Sequence, residues 1–364
     1  MRPYGEEFRK LHQDYREAKS SKERRQLAKK YEVGFDTLRH WISDFDKEGE
    51  LEKVQGTEIE VKYVPYPKFR VKPFRIAKAR RDEEDIGILL GDTHGGRITV
   101  SYSPEIYQQR MDNYLEAVMD LINLHRPIRR AYVIKLGDAA QGENVHQGSK
   151  IGTTSMPVSQ QIFDLIVPSE ARFIMSLAQG VSEVIVKGVP GNHGVYDKTA
   201  PRETNWDNFL NKHLAMALQN QKNVQVECTD QFYQLFDIRG FSFFIIHGDQ
   251  AKGSYQGVPL FALRRKYQEY YAYAGGFHYA YNGHFHTLGH DAINTIADFT
   301  INPPMVTGDD WALEKIGRAS KPIQLVFGVH NKYGRTFEYK VYTDKSFLPR
   351  PFIRSSAKEV EEGG

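Results

Sequence analysis

Short apolar runs alternate with longer amphipathic stretches over most of the chain. The apolar runs at Ile86–Leu90, Ala131–Leu136 and Val184–Val189 are typical of buried strands, and helical spacing covers Pro104–His125 and Val158–Ala178. Strands that alternate with helices form βαβ units around a buried sheet. The order of elements therefore predicts an α/β domain.

The same pattern continues toward the carboxyl end with more strands than helices. Two further helices are predicted at Asn205–Gln219 and Pro259–Ala274. The remaining apolar runs have strand length and spacing. These predicted strands are Val224–Glu227, Phe232–Asp237, Phe241–Ile246, His278–Tyr281, Ala292–Asp298, Ile323–Val329 and Thr336–Tyr342.

The first 46 residues have a purely helical pattern. Gly34 separates two short amphipathic stretches, Arg24–Glu32 and Phe35–Phe45, so this segment resembles a helix-turn-helix whose second helix reads DNA. A plain helical hairpin that joins copies of the chain into a homo-oligomer is the alternative. On the first interpretation, the side chains near DNA are Arg24, Arg25, Thr37, Arg39 and His40.

Positive charge is concentrated before the α/β domain. The net charge is only +3, but residues 1–81 hold 21 Lys and Arg against 14 Asp and Glu. Residues 61–81 contain eight Lys and Arg and no acid, which fits either a solvated tether or contact with a nucleic-acid backbone. We predict a helix-turn-helix-like domain at 1–46, a basic linker at 47–81, the main domain at 82–350 and a polar tail at 351–364.

Cysteine content and hydropathy bear on the compartment. Cys228 is the only cysteine, so the chain has no internal disulfide, which fits a reducing cytosol. No stretch approaches the roughly 20 apolar residues that span a bilayer. We expect a cytoplasmic protein with no membrane partner.

Polar motifs that contain glycine follow the apolar strand-like runs. An open α/β sheet presents its ligand site at the carboxyl ends of its strands, and glycine lets the backbone turn sharply there. The motifs are Gly91-Asp92-Thr93-His94, Gly137-Asp138, Gly191-Asn192-His193-Gly194, His247-Gly248-Asp249 and Gly283-His284-Phe285-His286.

The residue types in these motifs are metal ligands. Asp92 and His94 alternate, as do His284 and His286, and alternating residues of a strand project to the same side. Mixed carboxylate and imidazole donors suit transition metals, whereas the number of imidazoles argues against Mg or Ca. We expect two divalent ions, with Mn the first choice and Fe, Zn, Ni or Co as alternatives.

The complete ordered set of motifs resembles the calcineurin-like metallophosphoesterase superfamily, over roughly residues 85–342. The resemblance implies a β-sandwich core flanked by helices, with two metals at the ends of the strands. It also implies that His193 is catalytic, contacts the scissile phosphate and protonates the leaving oxygen. The metal ligands that it implies are Asp92, His94, Asp138 and His286 for the first ion, and Asp138, Asn192, His247 and His284 for the second.

One position departs from the family pattern. Many members have an acid where this chain has Gln141, followed by an arginine that is missing here, which weakens the analogy to monoesterases. Lys198, Arg202 and Lys252 follow two of the motifs and are candidates for binding substrate phosphate, with solvated surface charge as the alternative. The stretch from Asn302 to Trp311 and the Ala-Ser-Lys-Pro after Arg318 resemble phosphoesterases of tailed bacteriophages and prophages, whose site of action would be the host cytoplasm.

Joining a metal site to a DNA-binding segment predicts a nucleic-acid phosphodiesterase, with DNA as the expected partner and a nuclease as the expected enzyme. A phosphomonoesterase that acts on phosphoproteins or nucleotides is the first alternative. A non-enzymatic DNA-binding assembly protein is the second, although a complete ligand set argues against it.

Overall fold

The computed structural model describes residues 6–55, 83–143, 154–195, 201–251, 260–308 and 321–348. The chain divides into two compact units, Met1–Ala77 and Lys78–Gly364. Most of the predicted linker and the whole predicted tail lie outside the described residues.

The first unit consists of three helices, α1 (Glu6–Glu17), α2 (Ser21–Lys30) and α3 (Phe35–Gln55). Ser20 caps α2 by accepting the amide of Glu23, whose carboxylate in turn accepts the amide of Lys19. Glu32 has a φ of 53°, and this left-handed residue turns the chain from α2 into α3. The apolar side chains that pack together are Phe8, Leu11, Tyr15, Ala28, Leu38 and Ile42.

Helix α3 continues past the predicted domain end at residue 46. It ends at Gln55, although its sequence includes Gly49. A single glycine costs roughly 1 kcal/mol relative to alanine in a helix and does not by itself end one. The predicted linker therefore begins as helix.

A six-stranded sheet forms one layer of the second unit, in the order β11-β10-β1-β2-β3-β4. Strands β1 to β4 are parallel, while β10 and β11 pair antiparallel at one edge. The central strands are apolar on both faces, as expected for a covered sheet. Their bounds are β1 (Glu84–Leu90), β2 (Ile128–Lys135), β3 (Glu183–Gly188), β4 (Val224–Cys228), β10 (Ile323–His330) and β11 (Gly334–Tyr342).

A five-stranded sheet forms a second layer, in the order β5-β6-β7-β9-β8. Its strands are β5 (Tyr233–Ile238), β6 (Phe241–Ile246), β7 (Tyr279–Asn282), β8 (Gly289–Ala292) and β9 (Asp298–Ile301). The single strand predicted at Ala292–Asp298 is wrong. Ala292 and Asp298 are paired partners at the ends of β8 and β9, because Asn294 accepts the amides of Ile296 and Ala297 and so makes the intervening residues a turn.

Three apolar clusters join the layers. Helices α4 (Pro104–Leu124), α6 (Val167–Gly180) and α7 (Trp206–Leu218) pack on the outer face of the first sheet. The inner faces of the two sheets share a core in which Phe243 and Tyr281 stack on Phe327. Helix α8 (Leu260–Tyr273) covers the second sheet. This α/β sandwich flanked by helices confirms the predicted fold class.

A π-helical turn, Gln161–Ile166, connects the short helix α5 (Val158–Gln160) to α6. The prediction of one helix across this region is confirmed in its extent and refined in its hydrogen bonding. Among the described residues, no helix combines the length and apolar character needed to cross a membrane.

Candidate metal centre

The five predicted motifs all follow the carboxyl ends of strands. Strands β1, β2, β3, β6 and β7 end shortly before Asp92, Asp138, Asn192, His247 and His284 respectively. The strands belong to both sheets of the sandwich. The sequence thus predicted correctly where the polar residues lie in the fold.

The reason that the donors converge differs from the predicted one. Alternation along a strand was expected to point the paired residues to one side, but the donors lie after the strands, in turns. The left-handed backbone conformation of these residues, rare outside glycine and frequent at functional sites, directs their side chains instead. The φ angles are 49° at Asp92, 46° at His94, 52° at Asp138, 69° at His284 and 50° at His286.

Asp92, His94 and His286 form the first donor cluster. The Nε2 atoms of the two histidines are 3.1 Å apart, and they lie 4.0 Å and 3.6 Å from Oδ1 of Asp92. Two ligands of one ion, each about 2.1 Å from it, are roughly 3.0–3.5 Å apart. The buried Oδ1 of Asp92 has no hydrogen-bond partner in the described part of the chain. A buried polar atom left in this way fits a metal ligand.

Asp138, Asn192, His247 and His284 form the second cluster. The Nε2 atom of His247 is 2.9 Å from Oδ1 of Asn192 and 3.1 Å from Oδ2 of Asp138. Because Nδ1 of the same ring donates to the carbonyl of Leu136 at 2.7 Å, Nε2 carries the lone pair of the neutral ring. Nε2 of His247, Oδ1 of Asn192 and Oδ2 of Asp138 therefore direct electron pairs to one point, where a proton or a metal ion is needed. His284 completes a group with Asp138 and His247 whose ligand atoms all lie within 4.8 Å of one another.

Asp138 belongs to two groups of potential metal ligands. Its ligand oxygen clusters with His94 and His193 as well as with His247 and His284. The arrangement therefore fits two ions with Asp138 between them, as the sequence predicted. The metal roles of the individual residues remain predictions.

Burial and charge set the protonation of the imidazoles. Burial lowers the pKa of His94 well below its ordinary value and that of His284 to about 3, so both rings are neutral and able to bind a metal. Burial also opposes charge on His247, but the adjacent Asp138 carboxylate outweighs it and raises the pKa of His247 to about 10. A proton therefore occupies the second cluster when no metal does.

His193 lies beside both clusters. Its ring is 4.5 Å from that of His94, centroid to centroid, and its Nε2 is 3.9 Å from Oδ2 of Asp138. The amide of His193 donates to Oδ1 of Asp138 at 2.8 Å, and its Nδ1 lies 3.0 Å from the carbonyl oxygen of Gln141. These contacts fix the ring at the metal centre with Nε2 on the side of the donors.

Sequence reasoning missed Asp207, a buried carboxylate in the first turn of α7. It accepts three backbone amides, from Asp138 at 3.0 Å, from Ala139 at 3.1 Å and from Gly191 at 2.8 Å. Asp207 thereby holds two of the ligand loops together. Its place beside the helix cap Asn205 was visible in the sequence, but its reach to distant loops was not.

Two glycines allow the ligand loops to approach one another. A Cβ at Gly191 would lie 2.1 Å from Oδ1 of Asp138, and a Cβ at Gly283 would lie 2.3 Å from Oδ2 of Asp92. Neither close approach is possible with a side chain. The glycines of the motifs are therefore needed for space at the carboxylates.

The stretch that begins at Asn302 supports the first ligand loop. Residues 302–308 are described, and the amide of Met305 donates to the carbonyl of Asp92 at 3.1 Å. The side chain of Gln324 binds both backbone groups of Gly91, and its Oε1 also accepts Nδ2 of the Asn302 side chain. This buried network fixes the backbone that carries Asp92.

The predicted substrate contacts are only partly described. Lys198 and Lys252 lie outside the described residues. Arg202 is exposed, and its guanidinium stacks over Phe232 with 5.5 Å to the ring centroid. Within the described part of the chain, no contact joins it to the predicted metal ligands.

The predicted DNA contacts of the first unit differ among themselves. Arg24 is engaged within the unit, since it donates to the carbonyl of Ala18 and lies over the ring of Tyr15. The remaining four are exposed on α2 and α3. They are Arg25, Thr37, Arg39 and His40.

The layered sandwich and the donor clusters define an α/β protein with residues placed to hold divalent metal ions. No protein-family model matches the sequence, and no curated protein matches it. The fold comparison finds similar solved structures at low identity. Vacuolar protein sorting 29 from Cryptosporidium parvum is 13% identical, with a TM-score of 0.35, over 71% of this chain and 100% of that chain.

Two further structures extend the comparison. Vps29 from Entamoeba histolytica, solved in complex with zinc, is 12% identical, with a TM-score of 0.33, over 71% of this chain and 99% of that one. A 5'-nucleotidase from Candida albicans is 9% identical, with a TM-score of 0.35, over 72% of this chain and 53% of that one. Similarities this distant assign no activity.

Proposed function

We propose that the protein is a dinuclear metal-dependent phosphodiesterase that hydrolyses nucleic acid, with DNA as its substrate. The observation that carries the proposal is that Asp138 belongs to two donor groups, one with His94 and His193 and the other with His247 and His284. Manganese is the first choice of metal, and Fe, Zn, Ni or Co are alternatives with suitable ligand preferences.

Two divalent cations at these donors would lower the pKa of water and neutralise negative charge on the phosphate. The chain itself supplies the geometry and the proton. His193, held through Nδ1 at the carbonyl of Gln141, would donate the proton on Nε2 to the leaving oxygen. Asp92, held by the amide of His284 at Oδ2, keeps Oδ1 directed into the first cluster.

The loop after Asp138 favours a diester over a monoester. It carries Gln141 and lacks the arginine that monoesterases of the family place after this position to hold the dianion. A monoester dianion calls for more positive charge at the phosphate than a diester monoanion does. The proposal therefore takes phosphodiesters as the substrate class.

The first unit supports nucleic acid as the diester. Thr37, Arg39 and His40 are exposed on α3, and Arg25 is exposed on α2. Arg39 and His40 face Asp36 and Asp44 at 3.9 Å and 3.5 Å, but exposed pairs of this kind hold side chains weakly. These side chains remain able to exchange an acidic neighbour for a phosphate. The proposal includes a DNA-binding role for the helix-turn-helix-like first unit and an origin of the protein in a phage or prophage.

The test supplies Mn-loaded protein with circular and linear DNA, single and double stranded, and with two chromogenic esters. We expect cleavage of DNA and of bis-p-nitrophenyl phosphate. The His193→Ala variant should keep its metal and lose on the order of 100-fold or more in rate. Activity on p-nitrophenyl phosphate alone would replace the proposal with a phosphomonoesterase. Absence of both metal binding and diesterase activity would favour a non-enzymatic DNA-binding protein.

A further inference from the structure

Arg202 is tied through its backbone to a loop of the second cluster. It opens a 3₁₀ turn that leads into α7, and its carbonyl accepts the amide of Asn205 at 3.0 Å and Nδ2 of Asn208 at 2.8 Å. The side chain of Asn205 in turn donates to the carbonyl of Gly191 at 2.7 Å. Gly191 directly precedes the predicted ligand Asn192, so one residue, Asn205, joins Arg202 to that ligand loop.

Phe232 approaches the same cluster from the second sheet. It directly precedes β5, whose first residue, Tyr233, pairs with Ile246, the last residue of β6. The predicted ligand His247 directly follows Ile246, so Phe232 and His247 lie at the same end of this strand pair. The guanidinium of Arg202 lies over the ring of Phe232, 5.5 Å from its centroid, which is within the range of a cation–π contact. The contact therefore joins two segments that border the second cluster.

Aromatic side chains pack around Phe232 and fix its ring. The ring centroid lies 4.8 Å from that of Tyr233 and 5.6 Å from that of Tyr270 on α8, and Tyr233 stacks on Phe244 at 5.3 Å. Phe232 is half-buried in this group, whereas Arg202 is exposed. A rigid ring thus carries a planar cation that solvent can reach.

A planar cation on an aromatic ring is a surface on which a nucleobase stacks. Arginine planes and aromatic rings both bind the π-face of a base, and the positive charge also attracts the phosphate backbone beside it. In a duplex, the neighbouring base pairs cover that face. The surface formed by Arg202 and Phe232 therefore suits an unpaired nucleotide.

We propose that Arg202, positioned by Phe232, stacks on an unpaired base of the strand that is hydrolysed, and that this base subsite makes single-stranded DNA the preferred substrate. The proposal rests on the proposed function and specifies its substrate class. It gives Arg202 a base as its partner, whereas the sequence suggested a phosphate.

The first test compares two diesters with the same leaving group, the p-nitrophenyl ester of thymidine 5'-monophosphate and methyl p-nitrophenyl phosphate, which has no base. In the full-length Mn-loaded protein, Arg202→Ala should raise KM for the thymidine ester about 5- to 100-fold, as expected for the loss of one base stack. KM for the methyl ester should rise much less, because that substrate has no base to stack. An equal rise for both esters would overturn the proposal, since it marks a contact with phosphate alone.

Two variants test Phe232 as the positioning residue. Phe232→Leu removes the ring and should raise KM for the thymidine ester although Arg202 is present. Phe232→Tyr keeps a ring beneath the guanidinium and should stay near the wild-type KM. Equal losses in both variants would show that the ring does not position Arg202.

Lys332→Ala is the matched control. Nζ of Lys332 lies over the ring of Tyr333, 5.2 Å from its centroid, and both residues are exposed just after β10. Because β10 runs antiparallel to β1, with Val329 opposite Asp85, this end of the sheet is opposite to the end where Asp92 follows β1. Loss of an exposed cation–π pair there should change KM for neither ester.

The second test measures DNA binding by fluorescence anisotropy in the Mn-loaded His193→Ala protein, which should bind without cleaving. Adding Arg202→Ala should weaken binding of a fluorescein-labelled single strand about 5- to 100-fold, and binding of the duplex of the same sequence much less. Equal losses for the two forms would overturn the proposal. Unchanged affinity for both would overturn it as well and would favour a protein partner for this surface.

Failure of the proposed function can be told apart from failure of the base subsite. Wild-type protein that cleaves p-nitrophenyl phosphate and neither diester overturns the diesterase function. Wild-type diesterase activity with an unchanged KM in Arg202→Ala overturns only the base subsite. The anisotropy measurement decides the subsite whichever ester is cleaved.

Discussion

The Nε2 atom of His247 lies 3.1 Å from Oδ2 of Asp138, and both side chains are buried. Because Nδ1 donates to the carbonyl of Leu136, Nε2 of the neutral ring and the carboxylate would face each other as two electron-pair donors. The contact is stable only when a proton or a metal ion lies between them. A proton serves in the metal-free protein. The same donors would serve a metal ion, so protonation and metal binding exclude one another here.

Metal affinity should therefore depend on pH. The pKa of His247 in the folded, metal-free protein is about 10, above the ordinary value of 6.5. The stabilisation from this proton is fully present below pH 6.5 and is lost as the pH rises through 10. A metal must displace the proton within that window, so apparent affinity should rise about tenfold per pH unit.

Calorimetry in two buffers of different ionisation enthalpy, near pH 8, measures the protons released. We expect about one proton per ion at the second cluster. The His247→Gln variant should bind more weakly and release none from this position. An affinity that is independent of pH between 7 and 9 would show that His247 is not displaced.

Replacing Asp138 should cost both ions. Asp138 belongs to donor groups on both sides, so Asp138→Asn should lower the affinity for each ion by about 100-fold or more. Asp112→Asn, at an exposed acid on α4, is the matched control. Metal content after dialysis checks the prediction, with circular dichroism to show that the fold is kept. An Asp138→Asn protein that retains one tightly bound ion would contradict a bridging role.

Asp207→Asn tests whether the hydrogen bonds of Asp207 hold the ligand loops in place. The carboxylate accepts three backbone amides, whereas an asparagine turns a donor toward at least one of them. We expect unfolding to become easier by about 1–3 kcal/mol and metal affinity to fall about 10- to 100-fold. Denaturant titration and metal binding are the measurements, and the exposed Glu203→Gln is the control. Unchanged metal affinity would make Asp207 structural only.

Removing Arg25 and Arg39 should weaken DNA binding in a salt-dependent way. Both are exposed on the helical unit, and each phosphate contact that is lost should reduce the slope of log affinity against log salt by about one. Arg25→Gln with Arg39→Gln should leave bis-p-nitrophenyl phosphate turnover unchanged. Arg265→Gln on α8 is a control at an exposed arginine of the other unit. If log affinity falls with log salt equally steeply in the variant and the wild type, these two arginines do not contact DNA phosphates.

The location of the candidate metal centre could be predicted because strand ends and ligand types are both local features of the sequence. Asp92 and His284 illustrate this, since each follows an apolar run and a glycine. Their mutual contact, in which the amide of His284 donates to Oδ2 of Asp92, joins residues distant in the chain. Such contacts depend on the order of strands in two sheets, which periodicity does not determine.

Other features had no local signal. The left-handed φ angles of Asp92 and His94 are imposed by packing, because neither residue type requires them. Asp207 was overlooked because it matters only beside the amides of Asp138 and Gly191, which two other loops supply. Tertiary pairing of loops created both features.

An anomalous difference map of Mn-soaked crystals would show whether the site holds two ions. We expect two peaks about 3.5–4 Å apart, one beside Asp92, His94 and His286 and the other beside Asn192, His247 and His284. Asp138 should lie between them, with a carboxylate oxygen about 2.0–2.2 Å from each ion. A single peak, or two peaks that do not share Asp138, at saturating manganese would contradict the dinuclear site.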